Sequence, residues 1–436
     1  MDSRRIAVVT AGGLVELLDH DGGHTATANL RPWGSLGDCA QWATENRVRA
    51  VYLTEPGLQH NPGWWEALPD PWRATATAPQ GVKPATVALV KSHYLSKRGV
   101  MVYDLTRDTR WGPLRDEPDA AALFAAVTAF ESAMGGTPAT YSPGHMALAL
   151  LAPDKLAHPA WFDHPELPRR FPRYASGQAH KIEPAALNHG AWLHVWDVNA
   201  AYLAAAQSVD LGCGELVNVS AGLPKIGKVG IYQVRVNTRI GKVGIYQVRV
   251  NTRTPAIERP GWYDSALCKA AWSVDLAAIS CVDSWQFPEH HQTLRPWVAR
   301  MWEARERTTG TARALVKAAY TAALGRLDMR PVGGGTNPEY RPLWWAAIVG
   351  ETSRRMYARW AKIAATDGAA PLLIWADTIA AVTDNPDPAA LFIASTNLGG
   401  LRHTHSYRLA DHPDLLAPLK RGNTVDALHY MGEHDG

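Results

Sequence analysis

The sequence predicts a mixed fold: an α/β domain at the N-terminus followed by a larger α+β region. Three observations carry that expectation. Residues 1–150 alternate short Val-rich apolar runs with windows of helical periodicity. Two later apolar runs read as strands, Trp192–Trp196, ended by Asp197, and Pro371–Thr383, interrupted by Asp377. Between them, Leu294–Ala365 is dominated by helical windows.

The elements follow in chain order. RIAVVT and LVELLD flank Gly12-Gly13 and predict a hairpin. Ser35–Asn46 reads as a capped helix, because Ser35 is a strong N-cap type. RAVYLTE, TVALVKS and GVMVYDLT are strand candidates, and Asp119–Met134 has helical spacing. Leu151–Pro172 is proline-rich and reads as an irregular linker. IGKVGIYQVRVNTR occurs twice in tandem, at Ile226–Arg239 and Ile240–Arg253, and the plain expectation is a long β-hairpin of the two copies. The run WLHVWDV then AAYLAAA predicts a buried strand, an aspartate at its end and a helix start. Leu294–Glu306 and Thr311–Leu324 read as helices separated by Gly310, and Arg341–Ala365 as a third, opened by Pro342. These boundaries divide the chain into residues 1–150, a linker 151–173, a main region 174–384 and a polar tail 385–436.

Composition narrows the function classes. The 436 residues, 46% of them hydrophobic, suffice for two or three cored domains. No apolar run reaches a membrane-spanning length and MDSRRIAVVT lacks a signal-peptide layout, so no membrane partner and a cytoplasmic location are expected. The four cysteines show no metal-ligand spacing and read as reduced, mostly buried thiols. Net charge is only +3, but Arg295–Lys362 carries 13 Lys or Arg against 5 Asp or Glu, a local +8 that leaves −5 elsewhere. Such a segment reads equally as a solvated helix face or as a polyanion contact. The 32 Arg against 12 Lys fit a GC-rich bacterial coding source such as a plasmid, phage or other mobile element.

A carboxylate at the end of a buried strand is costly without a partner, and a divalent cation is one such partner. Taken singly, Asp197 or Asp377 reads as a strand-end cap or a paired core acid. Taken together with the segments around them, they point to a shared metal site.

Four segments in order resemble family-B DNA polymerases, above all the protein-primed subgroup of phages and linear plasmids. DVNAAYL (Asp197–Leu203) resembles the first palm motif, KAAYTAALG (Lys317–Gly325) the fingers-helix motif, and WADTI (Trp375–Ile379) the palm hairpin with Asp377 as its metal-binding acid. YASG (Tyr174–Gly177) is similar to the loop that precedes the polymerase domain, and LGGLRHT (Leu398–Thr404) to the segment after the hairpin. The pattern departs from the family where Thr321-Ala322 replaces Asn-Ser, Leu324 replaces Tyr, and Trp375 replaces the first hairpin acid.

The resemblance implies a right-hand polymerase with an antiparallel-sheet palm, helical fingers (both within 174–384) and a small thumb or tail (385–436). It implies two Mg²⁺ (or Mn²⁺) ions held by Asp197, Asp377 and the Val198 carbonyl, with Lys317 and Arg305 neutralising the triphosphate. Tyr202 would sit under the sugar and exclude a 2′-hydroxyl; Thr321 and Gly325 would complete the nucleotide site. Tyr174, Gly177, His403 and Lys420 would contact DNA. Implied partners are template and primer DNA, deoxynucleoside triphosphates and a terminal or priming protein. RIAVVTAGG lacks the Asp-x-Glu of a proofreading domain, so any exonuclease-like N-terminal domain is expected to be degenerate. Two other functions suit the same residues: a catalytically dead binder of DNA ends or of a replication partner, and a template-independent nucleotidyl transferase.

Overall fold

The computed structural model describes residues 5–10, 14–19, 24–29, 33–55, 60–68, 72–77, 82, 85–92, 99–117, 119–151, 182, 184–214, 217–219, 230–236, 261–264, 279–328 and 341–433. In chain order the elements begin with β1 (Arg5–Thr10), β2 (Leu14–Leu18), β3 (His24–Asn29), α1 (Leu36–Glu45), β4 (Val48–Leu53), α2 (Pro62–Glu66), β5 (Trp72–Thr77), β6 (Val87–Ser92) and β7 (Val100–Asp104). Helices α3 (Gly112–Arg115), α4 (Ala120–Ala133) and α5 (Pro143–Ala149) follow. Next come β8 (Trp192–Val198), α6 (Ala201–Ser208), β9 (Leu211–Cys213), β10 (Val217–Asn218), β11 (Gly230–Val236), β12 (Gly261–Asp264), β13 (Ile279–Gln286) and β14 (Glu289–His291). The chain closes with α7 (Arg295–Arg307), α8 (Gly310–Arg326), α9 (Pro342–Ala364), β15 (Ala369–Trp375), β16 (Thr378–Thr383), β17 (Leu401–Arg408), α10 (Pro413–Lys420) and α11 (Thr424–Glu433). Two compact units emerge: Met1–Pro153 with Arg300–Ala323, and Asp154–Ala299 with Leu324–Gly436.

In the first unit a seven-stranded sheet runs β3-β2-β1-β4-β7-β6-β5. β1 and β2 form the hairpin expected around Gly12-Gly13, while β1, β4 and β7 are mutually parallel. Every residue of β7 is buried, as a central parallel strand covered on both faces requires. Helix α1 spans the expected window, with the Ser35 hydroxyl accepting from the Asp38 N–H. Two acids at the end of β7 are fully buried and each has its own arginine. Asp104 accepts from Thr106 and from Arg107 Nε at 2.7 Å; Asp108 accepts from Thr86 at 2.7 Å and from Arg110. The stretch Arg300–Ala323 belongs to this unit, where the bare Cα of Gly144 on α5 approaches Ala322 on α8; a Cβ there would stand 2.8 Å from the Ala322 Cβ.

In the second unit a four-stranded antiparallel sheet runs β15-β16-β8-β17. Its strands β8 and β16 have both edges paired, which accounts for their continuous apolar patterns. One face carries Leu193, Val195, Ala380, Val382 and Tyr407 and packs on α10 and α11 through Leu415, Leu419, Ala427 and Met431. The other face carries His194, buried and bonded at both ring nitrogens, to Ser406 and to the Asn385 carbonyl. A second sheet runs β10-β13-β11-β12.

The expected hairpin of the tandem copies is corrected by this second sheet. The first copy supplies β11, whose residues Ile231–Val234 pair with β12 on one edge and β13 on the other. A strand has two edges, so none is left there for the second copy, which lies outside the described residues. The linker 152–173 and the loop containing Tyr174 and Gly177 also lie outside them. Cys39 and Cys213 are free, buried thiols, and burial pushes the Cys39 thiol far above its usual range. Among the described residues no helix is long and apolar enough to cross a membrane.

Candidate functional site

The site grows out of the end of β8. Alternation along the strand puts Leu193, Val195 and Asp197 on one face and Trp192, His194 and Trp196 on the other. At Asp197 the strand reaches the sheet's margin, where the carboxylate is 35% exposed. The strand cannot continue, because Asn199 and Ala200 turn the chain into α6 and Ala200 takes a left-handed φ of 51°. Asn199 secures that turn on three sides. Its N–H donates to the Gly400 carbonyl at 2.8 Å, its carbonyl accepts from the Gly399 N–H at 2.8 Å, and its side-chain amide donates to the Thr396 carbonyl at 2.5 Å.

Asp377 arrives from a different part of the chain. Pro371–Thr383, read from sequence as one interrupted strand, is a hairpin of β15 and β16 in which Trp375 pairs with Thr378. Asp377 therefore sits in a two-residue turn and not on a strand. Ala376, the first turn residue, has φ 51°, a region that costs a non-glycine residue about 1–2 kcal/mol. The Val198 N–H donates to the Asp377 carbonyl at 2.9 Å, so the end of β8 and the turn that holds Asp377 are joined main chain to main chain. Among the described residues of this unit, both non-glycine left-handed ones, Ala200 and Ala376, thus lie within three positions of the two aspartates.

Electrostatic partners surround the pair. Asp197 Oδ1 accepts from the Thr378 hydroxyl at 2.5 Å, and Asp197 Oδ2 lies 3.3 Å from the Arg402 guanidinium, itself 71% exposed. Register explains this: Asp197 pairs with Thr378 on one side and Arg402 on the other. Tyr202, on the first turn of α6, stacks on Trp345 of α9 with ring centroids 5.5 Å apart and planes 24° from parallel. Burial, and then the Asp377 carboxylate, raise the Tyr202 phenol above its ordinary pKa.

Helix α9 supports the site from behind. Glu351 is buried and clamped by Arg354 (2.7 and 2.8 Å) and Arg355 (3.0 Å). Arg355 reaches on to the Ser208 hydroxyl at the end of α6, and Arg359 donates to the Gly399 carbonyl at 2.7 Å. Burial, with Arg355 alongside, lowers the Arg359 guanidinium to about 10.

The remaining expected site residues are placed as follows. Lys317, Thr321 and Gly325 fall at i, i+4 and i+8 of α8, with Lys317 and Thr321 exposed. Arg305 is half-buried on α7; it donates to the Tyr320 hydroxyl at 2.8 Å and lies over the Trp302 ring. His403 shares the sheet face of His194 and Trp196 and bonds Ser406 at 2.9 Å, whereas its neighbour Arg402 is the residue on the Asp197 side. Burial, and then His194 and His405, lower the His403 pKa. Lys420 is exposed in the last turn of α10. Asn199 and Arg402 went unremarked in sequence although they sit inside or beside quoted motifs; Trp345 carries no sequence signal at all. Among the described residues no cluster of three or more His, Cys, Asp or Glu forms a ready-made cage. Two carboxylates with a main-chain carbonyl beside them resemble the sparse donor set that Mg²⁺ takes when substrate oxygens complete its shell.

No family model and no curated protein matches the sequence. Solved structures do match. The structure titled "Phi29 DNA polymerase complexed with primer-template DNA (post-translocation binary complex)" aligns at a TM-score of 0.54 and 12% identity, covering 93% of this chain and 85% of that one. A second, titled as the ternary complex of the same polymerase with primer-template DNA and incoming nucleotide substrates, aligns at 0.54 and 10% identity with the same coverage. The chain has the fold of that polymerase, with mixed α/β content and antiparallel sheets.

Proposed function

We propose that this chain is a compact DNA polymerase of the family-B type, adding deoxynucleotides by two-metal nucleotidyl transfer without proofreading. One observation carries the reading: Asp197 and Asp377, from remote segments, come to one end of an antiparallel sheet, where the end of β8 is joined to the β15–β16 turn by the Val198–Asp377 hydrogen bond. The fold likeness spans most of both chains, and the solved relative is titled in complex with primer-template DNA and nucleotides. On this reading the sheet β15-β16-β8-β17 is the palm, α7 and α8 belong to the fingers, and α10 and α11 make a small thumb.

Nucleotidyl transfer asks for positioning and charge stabilisation more than for covalent help from side chains. Asp197, Asp377 and the Val198 carbonyl would hold the Mg²⁺ or Mn²⁺ ions, which when bound stabilise charge on the attacking and leaving oxygens. The donor set fits, since Arg402 covers Asp197 only by a long, exposed contact that a cation displaces at little cost. Tyr202, within electrostatic reach of Asp377, would serve as a wall for the sugar. Lys317, Thr321 and Gly325, on one stripe of α8, and Arg305 are the proposed contacts to the triphosphate and base pair. Tyr174, Gly177, His403 and Lys420 are the proposed DNA contacts, and a terminal protein is a proposed primer. In the N-terminal unit Asp104 and Asp108 are each committed to an arginine, which supports the absence of proofreading there.

Primer extension tests the reading. The wild type is expected to extend a primed template with Mg²⁺ or Mn²⁺, and Asp197→Asn and Asp377→Asn each to lose more than about 100-fold, beyond the cost of removing a merely supporting group. No incorporation by the wild type with either metal and any primer would refute it. The ion pair of Asp197 with Arg402 and the engagement of Arg305 by Tyr320 favour a second reading, a DNA-end binder without catalysis. That reading requires salt-dependent DNA binding that survives Asp197→Ala with no turnover.

A further inference from the structure

Tyr202 and Trp345 form a face-to-face pair, with Asp377 within electrostatic reach of the Tyr202 phenol, and neither ring is fully buried. We propose that Trp345 is a positioning residue that fixes the Tyr202 ring, so that the rejection of ribonucleotides by this chain depends on Trp345. The inference rests on the polymerase reading above and goes beyond it to the residue that sets sugar selectivity.

The argument starts with α6. Besides Tyr202, Leu203 and Gln207 the helix is small: Ala201, Ala204, Ala205 and Ala206 are buried and lend no bulk that would hold a neighbouring ring upright. The first residue of that turn, Ala200, is already in a left-handed conformation, so Tyr202 follows a strained entry with no side-chain cap. What stands against its face is Trp345, in near-parallel contact. Trp345 is itself well anchored. Its N–H donates to the Arg341 carbonyl in the opening turn of α9. Its neighbour Trp344 is buried and donates its indole N–H to the Gly212 carbonyl at 3.0 Å. Further along the same helix, Arg355 holds Ser208 at the far end of α6. The two helices are thus tied at both ends of α6, with Trp345 as the aromatic member of the tie.

A 2′-hydroxyl is a single extra oxygen. Excluding it demands a wall placed to within a fraction of an ångström, and a ring free to tilt yields that space. Loss of an aromatic stack corresponds to roughly a tenfold change in an equilibrium or a rate ratio.

The test measures kcat and KM separately for deoxy- and ribonucleotides on one primed template, for the wild type, Trp345→Ala, Trp345→Leu and Trp345→Phe. Trp345→Ala is expected to lower the deoxy-to-ribo ratio of kcat/KM about tenfold, mainly through a lower ribonucleotide KM. Trp345→Phe, which can still stack, should keep the ratio near that of the wild type; Trp345→Leu keeps bulk without stacking and should behave like alanine, and it serves if the alanine variant does not fold. An unchanged ratio in a folded Ala or Leu variant, while Tyr202→Val admits ribonucleotides, overturns the inference and leaves the polymerase reading standing. A wild type that neither binds nor incorporates any nucleotide on primed DNA removes that reading, and this inference with it.

Discussion

The main-chain N–H of Val198 donates to the main-chain carbonyl of Asp377 at 2.9 Å. This bond places the end of β8, with Asp197, and the turn that holds Asp377 by backbone and not by side chain. A carboxylate held this way keeps its root position whatever its side chain does, as a site that must assemble cations between remote segments requires.

Removal of Arg402 should tighten cation binding. Asp197 shares its Oδ2 with this exposed guanidinium, so Arg402→Ala leaves the carboxylate free for metal. An exposed pair of this kind contributes about 0.2–1 kcal/mol, so Mn²⁺ affinity should rise up to about fivefold while folding stability stays within about 0.5 kcal/mol. Mn²⁺ titration by electron paramagnetic resonance, alongside thermal melting, checks both halves.

Relief of the turn at Ala376 should stabilise the protein. Its φ of 51° suits glycine, and Ala376→Gly trades that strain against the extra freedom of glycine in the unfolded chain. The net gain expected is about 0.5–1 kcal/mol, read by chemical denaturation.

The Glu351 clamp predicts an acid-sensitive contribution to stability. Burial pushes this carboxyl up, but hydrogen bonds from Arg354 and Arg355 outweigh it and hold the folded pKa below the ordinary value of 4.5. The stabilisation is therefore complete above about that ordinary value and is lost as pH falls through the lower folded pKa. Glu351→Gln should lower stability at pH 7 by about 1.5–3 kcal/mol, the worth of hydrogen bonds to a charged group. The gap between variant and wild type should narrow below pH ~4. Denaturation midpoints across pH 3–7 (approximate limits set by the same linkage) measure it.

Gly190 admits no side chain. A Cβ there would stand 2.0 Å from the Thr383 carbonyl carbon and 2.4 Å from the Asp384 nitrogen, both main chain and unable to swing aside. Gly190→Ala should part β8 from β16 where Trp192 pairs with Thr383, at a cost of about 3 kcal/mol. An unchanged denaturation midpoint would show that the entry to β8 has more room than its backbone indicates.

Much of the local structure was legible in the sequence. The Ser35 cap, the β1–β2 hairpin and the helices Arg295–Arg307, Gly310–Arg326 and Pro342–Ala364 lie where periodicity and capping chemistry put them. The segment holding Asp377 was misjudged because its turn contains neither Gly nor Asn; alanine in a left-handed conformation gives no turn signal. The tandem repeat misled for the opposite reason. Two identical alternating segments suggest pairing with each other, yet β11 found both partners further along the chain.

By itself the sequence determined which stretches are strands and helices, and that two lone acids end or interrupt apolar runs. These properties depend on neighbours a few residues apart, where steric and hydrogen-bonding preferences act directly. Only the tertiary structure decided that β8 lies between β16 and β17, that Arg402 and not His403 flanks Asp197, and that Trp345 backs Tyr202. Those pairings follow from strand register and helix packing between distant segments. A shift of a single residue in that register would exchange the two sheet faces without altering one local preference.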